Sequence, residues 1–589
     1  MNTHTFEITG RKVIIRIHDM ICENAQELLN SELFAEFLEI ASTGLVERNS
    51  YLINIFPGKN VNAESLKKLT KCLMLLAQGD LKDEESKRKR EGELKVYADF
   101  FKDAHLFNDF IEYLYNFWRS YDRFIICDSM GRNWDKRPYR TFNSTIVHLT
   151  DLIRGMYRDI QEAVSGDHPR IYRQVAAGAE MATISVTHAV PYYDKRYDPL
   201  NSISMIRYVL LNPPLILEPP INKRKGSFTQ VDKNPLDVVS IDPSDWLCYP
   251  AKVGELTILI YFHKHFIELG LSLCNLFQVA NDDDLMKKPD AIYLFGVPGD
   301  SLYCFGDFPT VFYEDAQNDL FVAAVPQKNE FGYFGYLKKM VLTLHNIVMM
   351  KKGRLPFHGA LIKIVLKGNK SRTVLFVGDT GAGKSETLEA IRDIAHDKIQ
   401  DLFVIADDMG SLEIDEDGNI IGYGTEIGAF LRLDDLRPGY ALGQIDRAII
   451  MSANQTNARI ILPVTTYEMV IKGHPIDFIL YANNYDEIDE DHPMVGRFES
   501  CEKAISVFRE GTVMSKGTTE TSGIVHTYFA NIFGPIQYKQ LHEKLAQQYF
   551  EAFFKKGIFV GEVRTRLGLK GFEQKGPEEA ARHLLNILD

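Results

Sequence analysis

An α/β (α+β) fold is predicted: a nucleotide-binding domain organised around a P-loop, preceded by an N-terminal α+β domain with a helical extension. Three observations predict it. Apolar residues recur at helical spacing through the first hundred residues. From about Ala291 onward, short apolar strands alternate with short helical segments. Between one such strand and one such helix lies Gly378-Asp-Thr-Gly-Ala-Gly-Lys-Ser385, which fits G-x-x-x-x-G-K-[ST].

A chain of 589 residues exceeds a single core, so three regions are drawn: a helical extension over 1–120, a substrate-side domain over 121–344, and a nucleotide- and metal-binding domain over 345–589. The composition, 45% hydrophobic and 25% charged, is that of a globular protein with a large core. A net charge of −13 argues against a general nucleic-acid binder, while leaving room for a local basic cleft that takes a small anion. The seven cysteines are dispersed and form no C-x-x-C pair, which reads as reduced thiols and neither a disulfide framework nor a zinc ribbon. The start of the sequence lacks a basic segment followed by an apolar run. The most lipophilic stretch, 256–277, is interrupted by Lys264 and Glu268 and reads as a buried helix rather than a membrane span. A cytoplasmic protein with no membrane or nucleic-acid partner is expected.

In chain order, Leu28, Leu29, Leu33, Phe34, Phe37 and Leu38 mark a first helical face, and Leu69, Leu73, Leu75 and Leu76 a second. Residues 82–95 are a mixed-charge run, expected as a solvated helix or loop. Seven prolines between Leu210 and Pro250, with Lys223-Arg-Lys-Gly226 among them, predict an irregular connection or decorated surface loop. Strands follow at Ala291-Ile-Tyr-Leu-Phe, Val374-Leu-Phe-Val and Phe478-Ile-Leu-Tyr.

The loop residues Gly378, Asp379, Thr380, Gly381, Ala382, Gly383, Lys384, Ser385 and Glu386 are the candidate nucleotide site. Glycines let backbone N–H groups turn inward around phosphate oxygens, and the following helix N-terminus adds favourable partial charge. Lys384 can pair with the β- and γ-phosphates, and the Ser385 hydroxyl can bind the nucleotide's magnesium. Downstream, the apolar run Leu402-Phe-Val-Ile405 ends in Ala406-Asp407-Asp408, carboxylates placed to hold metal or water near a γ-phosphate. Upstream stands Pro356-Phe-His358-Gly-Ala, and nineteen residues before the histidine lies Lys339, in Tyr333-Phe-Gly-Tyr-Leu-Lys338-Lys339.

These landmarks resemble ATP-type phosphoenolpyruvate carboxykinase, a family that carries an aromatic residue and glycine before a Lys-Lys pair, then a histidine, a phosphate loop and an Asp-Asp pair. Further segments are similar to it in the same order: Asn457-Ala-Arg459-Ile-Ile-Leu-Pro463, Gly473-His-Pro, and Phe508-Arg-Glu-Gly511 through Glu520. The resemblance runs from about Tyr333 to the C-terminus. It implies a carboxykinase-like domain, with ATP/ADP, Mg2+ and Mn2+ as cofactors and oxaloacetate, phosphoenolpyruvate and carbon dioxide as substrates. It implies Lys339, His358 and Asp408 as ligands of the manganese-type ion, with Asp407 holding a coordinated water and Ser385 the nucleotide's magnesium. Lys338 and Arg459 would neutralise the transferring phosphoryl group, and Tyr333 would lie beside the substrate. The substrate arginine of the N-terminal domain matches Arg132 in Gly131-Arg-Asn-Trp-Asp-Lys136.

The sequence also departs from that family. Its loop reads Asp-Thr-Gly-Ala-Gly-Lys-Ser-Glu, Thr521 stands where an arginine is usual, and Asn483-Asn-Tyr-Asp replaces an Asp-Ala-Phe-Gly segment. HPr kinase/phosphorylase is a second resemblance: His358-Gly359, Gly378–Glu386 and Ala406–Asp408 fit its pattern locally. A protein or small-molecule kinase therefore stands as an alternative, and a non-catalytic nucleotide-binding interaction protein as another.

Overall fold

The computed structural model describes residues 4–17, 22–79, 83–129, 138–168, 170–192, 194–368, 370–394, 398–436, 442–516 and 522–588. It is a mixed α/β protein with large mixed sheets. The chain forms two compact units, Met1–Val186 with Arg207–Asn212, and Thr187–Ile206 with Pro213–Asp589. The boundaries drawn on the sequence at 120 and 344 fall inside these units.

In the first unit, His4–Thr9 and Lys12–Ile17 form a hairpin turned at Gly10, whose φ of 59° suits glycine. Lys12–Ile17 pairs in parallel with Asp122–Ser129, which pairs in parallel with Met181–Thr187. The first helical face of the sequence is two helices, Ala25–Leu29 and Glu32–Glu47, because Ser31 caps the second by accepting from Phe34 N. Asn62 and Asp103 cap Ala63–Leu76 and Ala104–Arg119 in the same way. Phe37, Leu73, Phe107 and Phe110 meet in the core. The charged run forms the helix Glu84–Leu94, none of whose residues is buried.

Between these helices and the sheet lies a cavity of about 480 Å3.

The second unit carries three sheets that matter for the site. In the first, Trp246–Val253, Leu256–His263, Ala291–Val297 and Leu320–Pro326 are neighbours and buried along their full length. The lipophilic stretch expected as one buried helix is therefore a strand, Leu256–His263, followed by the short helix Ile267–Ser272. Its β-branched and aromatic residues pair antiparallel with Trp246–Val253 across a turn at Gly254 (φ 54°), where two-sided burial favours a strand.

The second sheet centres on Leu355–Leu366, Ser371–Val377, Phe478–Asn483 and Phe559–Arg564, the last three mutually parallel. The helix Phe334–Lys351 packs on strands of both sheets and is buried at nearly every position. The third sheet is small, ordered Gly428–Arg432, Arg459–Pro463, Ile449–Met451, Leu215–Leu217. Among the described residues, no helix is long and apolar enough to cross a membrane.

Candidate functional site

The loop 378–383 leaves the C-terminal end of Ser371–Val377 and enters the helix Lys384–Ile394, at the edge where parallel strands present ligand sites in α/β proteins. Gly381 and Gly383 have φ of 80° and 94°, turning successive backbone N–H groups toward one side. A Cβ on Gly383 would stand 2.6–2.9 Å from three side-chain atoms of Thr565, so that position has no room for another residue. The loop is held from outside: Thr565 Oγ1 donates to Ala382 O at 2.8 Å and Asn484 Nδ2 to Gly381 O at 2.9 Å. Asp379 is buried and accepts from Thr380 N at 2.6 Å and from Thr527 Oγ1 at 3.3 Å. Lys384 folds back into the loop, donating to Gly378 O at 2.5 Å and Asp379 O at 3.0 Å. Burial lowers its pKa against the pull of nearby Asp408. Ser385 and Glu386 follow in the first helical turn, both partly exposed.

Backbone hydrogen bonds bring three distant segments together at this loop. Gly378 N donates to His358 O at 3.2 Å, and Gly359 N donates to Asp408 O at 2.9 Å. His358 therefore stands between the loop and the Asp407-Asp408 pair. Its Nε2 lies 3.0 Å from Asp408 Oδ1, and its Nδ1 is bonded to Ala530 O. Lys338 Nζ reaches the other oxygen, Asp408 Oδ2, at 2.6 Å. Burial raises the Asp408 carboxyl, yet Lys338 and His358 outweigh it and hold the group well below the usual carboxylate range. Burial acts the opposite way on Lys338, whose ammonium the adjacent carboxylate keeps charged. Asp407 is pushed up by burial and by the charge on Asp408, which Lys338, Lys384 and Arg392 only partly offset.

Two aromatic rings carry the cations. Lys338 lies 5.9 Å and Arg459 5.4 Å from the centroid of Phe430, and the Tyr333 ring is 6.0 Å from the same ring. Lys339 stands 4.9 Å over Phe533, which also neighbours the His358 imidazole at 5.9 Å. Cation–π contact holds ammonium and guanidinium groups without neutralising them. Burial pushes Lys339 down to about 8, and Arg224, Lys338 and Arg459 press the same way. Tyr333 is buried and raised by burial, with Arg459 as its hydrogen-bonding neighbour. Glu426 is fully buried 3.7 Å from Lys338, and burial raises its carboxyl well above the usual range.

The structure thus brings together Lys338, Lys339, Tyr333, His358, Lys384, Asp407, Asp408 and Arg459. Arg132 lies outside the described residues, as do Glu520 and Thr521. It is Lys338, rather than Lys339, that meets Asp408. Arg224, Glu426, Phe430 and Phe533 were not singled out from the sequence.

Arg224 falls in the proline-rich connection, which is pinned and not a free surface loop. Asn222 Nδ2 donates to Thr456 O and Asn457 Nδ2 to Asn222 O, both at 2.5 Å, while Lys225 N donates to Tyr336 Oη at 2.9 Å. The four basic residues among those prolines were the available signal. For Glu426 the signal was a charged residue followed by Ile-Gly in an otherwise apolar segment.

The donor types suit a divalent cation in part. His358 and Asp408 offer adjacent nitrogen and oxygen ligands, and a lysine held near 8 can supply a neutral amine. Among the described residues no group of three or more His, Cys, Asp and Glu forms a metal site. The chain matches no protein-family model and no curated protein.

Proposed function

We propose that this chain is an ATP-dependent phosphoryl-transfer enzyme of the phosphoenolpyruvate carboxykinase kind. It would convert oxaloacetate and ATP to phosphoenolpyruvate, carbon dioxide and ADP. The observation that carries the reading is the gathering of Lys338, Lys339, Arg459 and Arg224 around the Asp408–His358 pair, beside a loop that presents Lys384. Lys338, Arg459 and Arg224, held partly on aromatic faces, make a field suited to a substrate with two carboxylates and a transferring phosphoryl group, while Lys339 as the neutral amine is left for a metal ion.

In this reading the loop backbone and Lys384 bind the β- and γ-phosphates, with Lys384 exchanging its two carbonyl partners for phosphate oxygens. Arg224 and Tyr333 orient the carboxylates of oxaloacetate. Loss of carbon dioxide leaves the enolate of pyruvate, whose oxygen attacks the γ-phosphorus in line while ADP departs. Lys338 and Arg459 stabilise the charge on the phosphoryl oxygens as that transfer proceeds. His358, Asp408 and Lys339 are the residues that would hold a manganese-type ion, and Ser385 the magnesium of the nucleotide; such ions supply Lewis-acid stabilisation of oxygen charge. Burial of the cluster keeps water from competing for the enolate.

A kinase resembling HPr kinase/phosphorylase is the second reading. It is favoured by the hydrogen bonds that join His358-Gly359, Gly378 and Asp408 into one group, since those are the segments where that likeness is densest. One assay separates the two. Purified protein is given phosphoenolpyruvate, bicarbonate, ADP, magnesium and manganese, and oxaloacetate is followed through malate dehydrogenase and NADH. Turnover that requires both ADP and bicarbonate is the expected result. Absence of turnover, together with ATP consumption on adding a hydroxyl-bearing acceptor, would select the kinase.

A further inference from the structure

The cavity in the first unit lies far along the chain from the loop and plays no part in the proposed chemistry. Its walls come from the hairpin strands through Phe6, Ile15 and Ile17, and from every long helix of the unit except the charged one. Deep inside, the lining is fully apolar: Leu29, Phe37 and Leu73 are 1–3% exposed, and Ile153 and Ile160 face them from the helix Pro138–Ser165. Such a volume, about 480 Å3, lies within the range of ligand pockets and is some three times that of cavities known to take a single benzene.

Water does not suit this interior, because an ordered water needs two to four polar partners. The polar groups that do line it are already committed or neutral. Ser31 Oγ donates to Leu28 O at 2.7 Å and accepts from Phe34 N at 3.1 Å. The Tyr157 hydroxyl is bonded to Glu112, and its ring stacks on Tyr115 at 3.9 Å.

Of the polar lining residues, Asn30 and Glu32 are exposed and flank Ser31 at the junction of Ala25–Leu29 and Glu32–Glu47. The carboxylate of Glu32 is the charge at this junction, and among the described residues no lysine or arginine lines the cavity. The shape and chemistry are those of a receptacle for an amphiphile with a long aliphatic tail and an uncharged head. An alkanoate head would meet Glu32 with like charge and no counter-cation.

We propose that the first unit binds a single-chain aliphatic molecule with an uncharged hydroxyl-bearing head, tail inward among Phe37, Leu73, Ile153 and Ile160, and head at Asn30–Glu32. Trp118, which lines the cavity and donates its indole N–H to Ala177 O at 2.7 Å, is a built-in reporter.

The full chain is titrated with 12-bromododecan-1-ol and, separately, with 12-bromododecanoate, and tryptophan fluorescence is recorded. The expected result is saturable quenching by the alcohol, at least several-fold weaker quenching by the carboxylate, and loss of the saturable component in Trp118→Phe. Ile153→Trp, which fills the interior, should abolish the saturable phase while leaving the far-ultraviolet circular dichroism unchanged. Glu32→Lys, at an exposed position, should reverse the order of the two ligands, and it remains informative if the filled variant fails to fold. Quenching by the alcohol that does not saturate overturns the site. Equal binding of both ligands, or an order unchanged in Glu32→Lys, overturns the assignment of the head. None of these outcomes depends on turnover at the phosphate loop.

Discussion

Replacing Lys339 with methionine should stabilise the protein at neutral pH while removing its activity. Lys339 is half-buried, stands over Phe533, and has its pKa lowered by burial and by Arg224 from the ordinary 10.5 to about 8. At about 1.36 kcal/mol per tenfold change, that fall corresponds to about 3 kcal/mol of unfavourable charge in the folded state. The contact with Phe533 and residual solvent screening offset part of this, leaving a net gain of about 2 kcal/mol for the neutral isostere. The sign follows from proton counts. Below about pH 8 the lysine is protonated in both folded and unfolded chains, and the full cost is present. Between about 8 and 10.5 the folded protein sheds a proton that the unfolded chain retains, so the stability of the parent rises with pH. Above 10.5 both are neutral and the difference disappears. Scanning calorimetry of parent and Lys339→Met, without divalent cations, should therefore show the variant melting a few degrees higher at pH 7 and the gap closing by pH 10. A variant less stable than the parent at pH 7, by an amount that does not change with pH, would refute the assignment of an unfavourable buried charge at this position.

Lys384→Ala should eliminate nucleotide binding measured by calorimetry and reduce turnover at least a hundredfold; near-normal activity would remove the loop from the site. Gly383→Ala forces a Cβ against Thr565 at a φ of 94° and should both lower the melting temperature and abolish nucleotide binding, whereas Gly443→Ala, whose Cβ meets nothing within 4 Å, serves as the neutral control. Burial raises the Glu426 carboxyl well above the usual range, so Glu426→Gln should change stability by less than about 1 kcal/mol; a loss of about 3 kcal/mol or more would show a charged pair with Lys338 instead. His358→Ala should weaken the dependence of turnover on manganese while leaving that on magnesium intact, and an unchanged manganese titration would exclude the residue as a ligand.

Local patterns were legible where the chemistry is contiguous in sequence. The strand–loop–helix at 371–394 follows from an apolar run, three glycines and a helix-forming segment, and the structure has those elements. Lys384 opens a helix and Asp408 stands between two strands, whereas Lys338 lies within the helix Phe334–Lys351 and His358 within the strand Leu355–Leu366, so those two were readable from residue type and spacing alone. The stretch 256–277 was misread because periodicity does not distinguish a strand buried on both faces from a buried helix. Arg224 was harder to place for a different reason. The basic run marked the segment, but the contacts that pin it run from Asn222 to Thr456 and Asn457 and from Lys225 to Tyr336, all distant in sequence, and no local pattern encodes them. Phe430 and Phe533 looked like ordinary core aromatics, and only the cations above them give them a role.

The small four-stranded sheet carries or anchors several of the gathered groups. Phe430 belongs to its first strand and Arg459 to its second, and Arg224 is tied to it through Asn222 and the Leu215–Leu217 strand on the opposite edge. Phe430, Arg459 and, through Asn222, Arg224 thus share one small framework. Substitutions in its pairing, such as at Ile450 opposite Ile460 and Ile216, should therefore combine non-additively with Arg224 and Arg459 changes.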